Sequence, residues 1–185
     1  MPRMGKTYEA IDDRTAEFLT AQRLFFVGTA PSGGDGHVNV SPKGLDSFRI
    51  LDARTVAYLD LTGSGIETAA HLRANGRITI MFCAFEGPPK IVRLYGRGEV
   101  LRAGSAAFGA LAPRFPDHLG ARAIVRVALD RVSDSCGYSV PRFAYKDERT
   151  QLLDWADRKG PDGLKTYRRD KNARSIDGLP GLDPE

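Results

Sequence analysis

Six short runs of β-branched and aromatic residues, each bounded by turn formers, limit what this chain can fold into more than any other feature: Leu24–Thr29, His37–Ser41, Thr55–Asp60, Arg77–Phe85, Ile91–Leu101 and Ala123–Val132. Such runs favour a pleated, half-buried surface. The cluster Pro31-Ser32-Gly33-Gly34-Asp35-Gly36 separates the first run from His37-Val38-Asn39-Val40-Ser41, which alternates with period two, and the pair reads as a hairpin. Six strands within 185 residues predict a closed or half-closed antiparallel barrel, a mainly β (α+β) fold with one core. Helices are expected at Asp12–Gln22, at Ile66–Asn75 with Gly76 as its stop, at Ser105–Leu111, and from Arg149 onward, where Leu152, Leu153 and Trp155 form the packing side. The segment Ser175–Asp183 holds too many breakers for regular structure and is expected to wrap over the body or fray. The barrel is assigned to residues 1–140, and 141–185 to a helical extension and tail packed on the same domain.

Composition narrows the function classes. A 42% hydrophobic and 27% charged chain is globular, and no stretch reaches the roughly 18 apolar residues of a membrane helix. The opening Met1-Pro2-Arg3-Met4-Gly5-Lys6 runs into polar residues instead of an apolar leader, so a cytoplasmic location without membrane attachment is expected. Cys83 and Cys136 stand far apart without a C-x-x-C spacing, which supports neither a zinc site nor a disulfide framework. The net charge of +4 lies wholly within residues 142–174, where ten basic residues meet six acidic ones. A mixed-charge helical face of this kind is a solvated surface, and no nucleic-acid partner is expected.

Several positions could carry chemistry. Ser41-Pro42-Lys43-Gly44 ends an alternating strand, bringing a hydroxyl and an ammonium to one rim, a pair that suits an anion or else a solvated turn. Thr62-Gly63-Ser64-Gly65 feeds the helix at Ile66, and two readings stand for it. Free backbone N–H groups there could receive an anion, or Ser64 and Glu67 could form an S-x-x-E capping box that needs no ligand. The G-x-x-x-x-G-K-[ST] spacing of a P-loop is missing. His37, His71 and His118 are isolated from one another, so no metal site is expected, and no G-x-S-x-G elbow points to a hydrolase. Arg93 and Arg97 share strand parity with Tyr95, giving a face that is either solvated or part of a cavity. Cys83 and Cys136 read as inert thiols, and Trp155 as a packing anchor.

Taken in order, these pieces resemble the FMN-binding split barrel of the pyridoxamine 5′-phosphate oxidase family. Three blocks carry the resemblance: His37-Val38-Asn39-Val40-Ser41-Pro42-Lys43-Gly44; Leu59-Asp60-Leu61-Thr62-Gly63-Ser64 continuing through His71-Leu72-Arg73-Ala74-Asn75-Gly76-Arg77-Ile78; and Lys90-Ile91-Val92-Arg93-Leu94-Tyr95-Gly96-Arg97-Gly98-Glu99. The resemblance implies a six-stranded antiparallel split barrel with flanking helices, a homodimer with FMN at the subunit interface, and a flavin-dependent oxidoreductase acting on a small molecule. It implies cofactor contacts from Ser41, Lys43, Asp60, Thr62, Gly63, Ser64, Arg93 and Arg149, with no catalytic residue assigned. The alternatives it carries are a deazaflavin-dependent reductase and a non-catalytic flavin- or haem-binding module. Where the oxidase has an Arg-Lys pair after the G-S turn, this chain has Gly65 and Ile66, and the oxidase's glutamine on the next strand falls near Ile91. Pyridoxamine phosphate itself is therefore not the expected substrate.

Overall fold

The computed structural model describes residues 5–182. Residues 1–4 of the polar opening and of the range 1–140, and residues 183–185 of the range 141–185 and of the tail, lie outside them. Along the chain run β1 (Thr7–Tyr8), α1 (Asp13–Ala21), β2 (Phe25–Thr29), β3 (Asn39–Lys43), β4 (Phe48–Asp52), β5 (Thr55–Leu61), α2 (Glu67–Asn75), β6 (Arg77–Cys83), β7 (Ile91–Arg102), α3 (Ala106–Leu111), β8 (Ala121–Ser135) and α4 (Gln151–Lys171).

All eight strands form one antiparallel sheet in the order β3-β2-β6-β7-β8-β5-β4, with β1 added on β8. This is the expected class with two more strands than expected. β4 carries Arg49 and Asp52 within five residues, and β1 is only two residues long, so neither offers a run long enough to read as a strand. The sheet curls until its ends approach. Phe48 of β4 packs 5.5 Å from Phe25 of β2 and 4.9 Å from Phe82 of β6. β3 and β4 nonetheless do not pair, and the barrel stays split between them. The turn joining them places two successive non-glycine residues in the left-handed region, Leu45 at φ 59° and Asp46 at φ 51°. Residues other than glycine tolerate that region only at a cost of order 1 kcal/mol each.

Alternation sets the core. Val27, Val56, Tyr58, Ile80, Phe82, Val92, Leu94, Val125 and Val127 fill the barrel, while Ala57, Leu59, Leu101, Phe115 and Ile124 pack beneath α3 on the outer side. β5 is thus buried on both faces. Asp60 continues the Val56–Tyr58 parity, which carries a carboxylate to the rim of the barrel interior. α2 ends as expected at Gly76, whose φ of 70° is the left-handed C-cap. Burial lowers the pKa of His71 on this helix, where Nδ1 lies 3.0 Å from Thr29 Oγ1.

The C-terminal helix departs from expectation. Its buried residues are Ala156 and Leu164, while Leu152 is exposed and Trp155 only half-buried. Gly160, at φ 64° and ψ 174°, breaks the helix before Pro161, so α4 is two helices meeting at a corner. Trp155 and Tyr167 would lie about 18 Å apart along a straight helix. Their rings are instead 4.9 Å apart, with Lys159 against both. Trp155 therefore fastens the corner. The tail wraps over the body: Arg174 bridges Pro180, the Asp177 carboxylate accepts from the His37 backbone N–H at 2.8 Å, and Gly181 lies against Asn172 and Ile66. A Cβ on Gly181 would stand 2.1 Å from the Asn172 carbonyl oxygen, so only glycine fits there.

Candidate functional site

At the split of the barrel a cleft of about 310 Å³ opens, at the small end of the range for small-molecule sites. Ser41, Lys43, Asp60, Gly63, Glu67 and Arg122 supply its polar lining, and Leu45, Leu59, Leu61 and Leu152 its apolar lining. A larger hollow of about 620 Å³ lies between Arg102, Ser105, Leu119, Pro161 and Arg168. None of the residues singled out in the sequence lines it, and the cleft at the split is the candidate site.

Asp60 organises the cleft. Its Oδ2 accepts from Arg122 Nε at 2.7 Å and its Oδ1 from Lys43 Nζ at 3.0 Å, with Asp60 and Arg122 each only 6% exposed. Burial alone would raise the carboxyl pKa, but the Arg122 guanidinium and then the Lys43 ammonium outweigh it and hold the group at about 2. The cluster is one anion between two cations. Arg122 is fully engaged, since Nη1 donates to Asn172 Oδ1 and Nη2 to the Gly65 carbonyl, both at 2.9 Å. Lys43 commits one of its three donors to Asp60.

Beneath this cluster lies Tyr58, fully buried, whose hydroxyl has no hydrogen-bond partner among the described residues. An unpaired buried hydroxyl costs stability, so Tyr58→Phe is expected to leave the unfolding midpoint unchanged or to raise stability by about 1 kcal/mol. A loss of stability in urea titration would mean that the hydroxyl has a partner.

The turn before α2 is held from behind. Asn172 Nδ2 donates to the Gly63 carbonyl at 2.9 Å, and Arg122 takes the Gly65 carbonyl. No cis peptide occurs here, and in a trans peptide C=O and N–H point in opposite directions. The N–H groups of Ser64 and Ile66 therefore face away from Asn172 and Arg122. The capping-box reading is overturned: the N-cap is Ile66, with no side-chain cap, and Ser64 lies two residues too early. Glu67 does not reach back to a serine cap; its Oε1 accepts from the Ile176 backbone N–H at 3.3 Å. The first turn of α2 thus keeps backbone donors that no side chain caps.

The eight residues singled out are not all brought together. Ser41, Lys43, Asp60 and Gly63 line the cleft. Ser64 is exposed on the adjacent turn. Thr62 lies under it, donating to the Gly120 carbonyl at 2.8 Å and accepting from Arg168 Nε at 2.9 Å. Arg93 stands apart on β7, donating to Ser135 Oγ at 3.2 Å, and is not part of the cleft lining. Arg149 is exposed just before α4 and does not line the cleft, although Leu152 one turn later does. Arg122 and Asn172 escaped the sequence reading, and Glu67 entered it only as the partner of Ser64 in a capping box. For Arg122 a signal existed: a carboxylate inside the apolar run of β5 needs a buried cation, and β8 pairs with β5 so that residues 121–123 meet its end.

Among the described residues, no cluster of three or more His, Cys, Asp or Glu is arranged to hold a metal, and no helix is long and apolar enough to cross a membrane.

The family model described as pyridoxamine 5′-phosphate oxidase matches residues 11–136. The pyridoxamine 5′-phosphate oxidase family protein ustO of Aspergillus flavus is 38% identical over 194 aligned positions, which cover 95% of this chain and 77% of that protein. Among solved structures, a variant of HupZ from Group A Streptococcus superposes with a TM-score of 0.52 at 25% identity, over 67% of this chain and 98% of that one. A Lactobacillus delbrueckii protein provisionally described as a pyridoxamine 5′-phosphate oxidase gives a TM-score of 0.54 at 19% identity, over 70% and 98% of the two chains. The latter likeness speaks to the fold alone.

Proposed function

The chain belongs to the pyridoxamine 5′-phosphate oxidase family, and from that premise we propose that the cleft at the split binds FMN and that the protein is a flavin-dependent oxidoreductase acting on a small molecule. The observation that carries the proposal is the juxtaposition of the Lys43 ammonium with a glycine-rich turn leading into an uncapped helix start, all on one cleft. An ammonium and backbone N–H groups that no side chain caps are donors a phosphate can use. Leu45, Leu59, Leu61 and Leu152 give the same cleft apolar walls suited to a flat ring. The donor set fits an anionic, partly aromatic cofactor.

FMN would supply the electron and hydride chemistry, which side chains cannot. The chain's own part is to bind and orient. Lys43, already oriented by Asp60, would attract the phosphate, and Arg122 would keep Asp60 ionised and neutralised so that Lys43 need not do so alone. Gly65 and Ile66 stand where the resemblance places an Arg-Lys pair, so the proposal is for an oxidoreductase other than a pyridoxamine phosphate oxidase.

The absorbance spectrum of the purified protein after FMN loading and gel filtration tests this reading. Retained flavin bands are expected, and a protein that emerges colourless after incubation with excess FMN overturns it. Lys43→Ala should weaken FMN by about 1–3 kcal/mol, the scale of a charge-assisted hydrogen bond. Unchanged affinity in a flavin-fluorescence titration would return Lys43 to a purely structural role beside Asp60.

The proposal extends to a homodimer with the cofactor at the subunit interface. Val38, 72% exposed, and Val40, 65% exposed, lie on or beside β3, an edge strand with an unpaired side. An exposed apolar edge is a surface for another chain. Light scattering at micromolar concentration should give twice the 20.2 kDa chain mass. A monomer mass would remove the dimer from the proposal.

A further inference from the structure

We propose that Glu67 is a built-in anion at the phosphate corner of the cleft, and that it sets the site's selectivity against phosphorylated ligands. The inference rests on the reading of the cleft as an FMN site and names the residue that tunes it. Glu67 lines the cleft and is the first residue of α2, immediately after the turn whose N–H groups are left without a side-chain cap. Its carboxylate folds back over Gly65. A Cβ at residue 65 would stand 2.6 Å from Glu67 Oε2, and the other oxygen, Oε1, accepts the Ile176 N–H of the tail. Residue 65 must be glycine for the carboxylate to lie there, and the tail holds it in place.

Charge arithmetic gives the consequence. The charged side chains lining the cleft are Lys43 and Arg122 against Asp60 and Glu67, two of each sign. Without Glu67 the cleft would carry one net positive charge. A carboxylate at a helix N-terminus competes for the same backbone donors and the same dipole that would receive a phosphate. A phosphate entering this corner must displace Glu67 or bear its repulsion, while the uncharged remainder of a ligand, resting on the leucines, is indifferent to it. The residue therefore weakens phosphate-bearing ligands selectively.

Comparing FMN with riboflavin, which lacks only the phosphate, isolates the effect. Glu67→Gln keeps the side-chain length and can still accept the Ile176 N–H. It should tighten FMN by about 10- to 100-fold, the gain from removing one like charge at near-contact distance, with riboflavin affinity unchanged. Glu67→Ala, which also frees the tail contact, should shift FMN in the same direction, and it stands in if the glutamine variant fails to fold. Equal changes for FMN and riboflavin, or no change for either, would overturn the inference while leaving flavin binding intact. If the wild type binds neither flavin, the FMN reading fails on its own. Inorganic pyrophosphate then becomes the probe, and tighter pyrophosphate binding by Glu67→Gln would uphold the role of Glu67, whereas identical binding by both proteins would overturn it.

Discussion

Replacing Asp60 by alanine will destabilise the protein by about 3–5 kcal/mol, because it leaves the Arg122 guanidinium, 6% exposed, and the Lys43 ammonium facing each other with no anion between them. The urea midpoint should fall with the slope unchanged, since the surface exposed on unfolding is nearly the same. A midpoint within error of the wild type would mean that the cluster contributes nothing. The same carboxylate sets an acid limb. In the unfolded chain it takes a proton near the ordinary value of about 3.9, and in the folded protein only near about 2. The folded state therefore binds fewer protons between those values. Its contribution, about 2–3 kcal/mol, is present above pH 4 and is lost as the pH falls from about 4 to about 2. The mutational figure is larger because alanine strands two cations, whereas protonation leaves a neutral acid that still hydrogen-bonds.

Ser64→Asp will lower FMN affinity on the order of 100-fold while leaving the melting temperature of the cofactor-free protein near that of the wild type. Ser64 is exposed and makes no cap, so neither its loss nor an added surface charge disturbs packing. Set beside a phosphate, however, the new carboxylate meets a dianion at the turn, where even at an effective dielectric constant of about 20 two unit charges 4 Å apart repel by about 4 kcal/mol before screening. A fluorescence titration of the variant checks it. Affinity equal to the wild type would remove the phosphate from this turn and require another corner of the cleft.

The strands and helix stops were legible because they depend on near neighbours. The alternation of Ile91–Leu101, the breaker at Gly76 and the turn formers at 31–36 each act within a few residues. β4 was not legible, because Arg49 and Asp52 interrupt a strand held in place by Phe48 packing on Phe25 and Phe82 from distant strands. The packing side of α4 differs for a related reason: Leu152, Leu153 and Trp155 look like one apolar face, but the corner at Gly160 leaves Ala156 and Leu164 as the buried residues. At the site, Lys43 could be read from its place at a strand end and Asp60 from the family resemblance, and the structure brings them together. Arg122 needed more than position, since its signal, a buried carboxylate in want of a cation, becomes specific only once β5 is known to pair with β8, and Asn172 is in sequence a polar residue at the end of a charged helix. Only the fold buries them, at 6% and 1% exposure, and makes each polar atom answer to a partner. Ser64 shows the converse failure, a local motif that matched its pattern while the backbone started the helix at a different residue.

The hydrogen bond from Asn172 to Gly63 spans 109 positions of sequence. During biosynthesis, at about 5–20 residues per second, roughly 5–20 s separate the appearance of the turn from that of the asparagine that holds it. The eight strands among the described residues all end by Ser135, well before the asparagine that supports the turn. The β-structure is therefore complete in sequence before the pocket is, and the cleft is finished only when α4 and the residue that follows it close behind the turn.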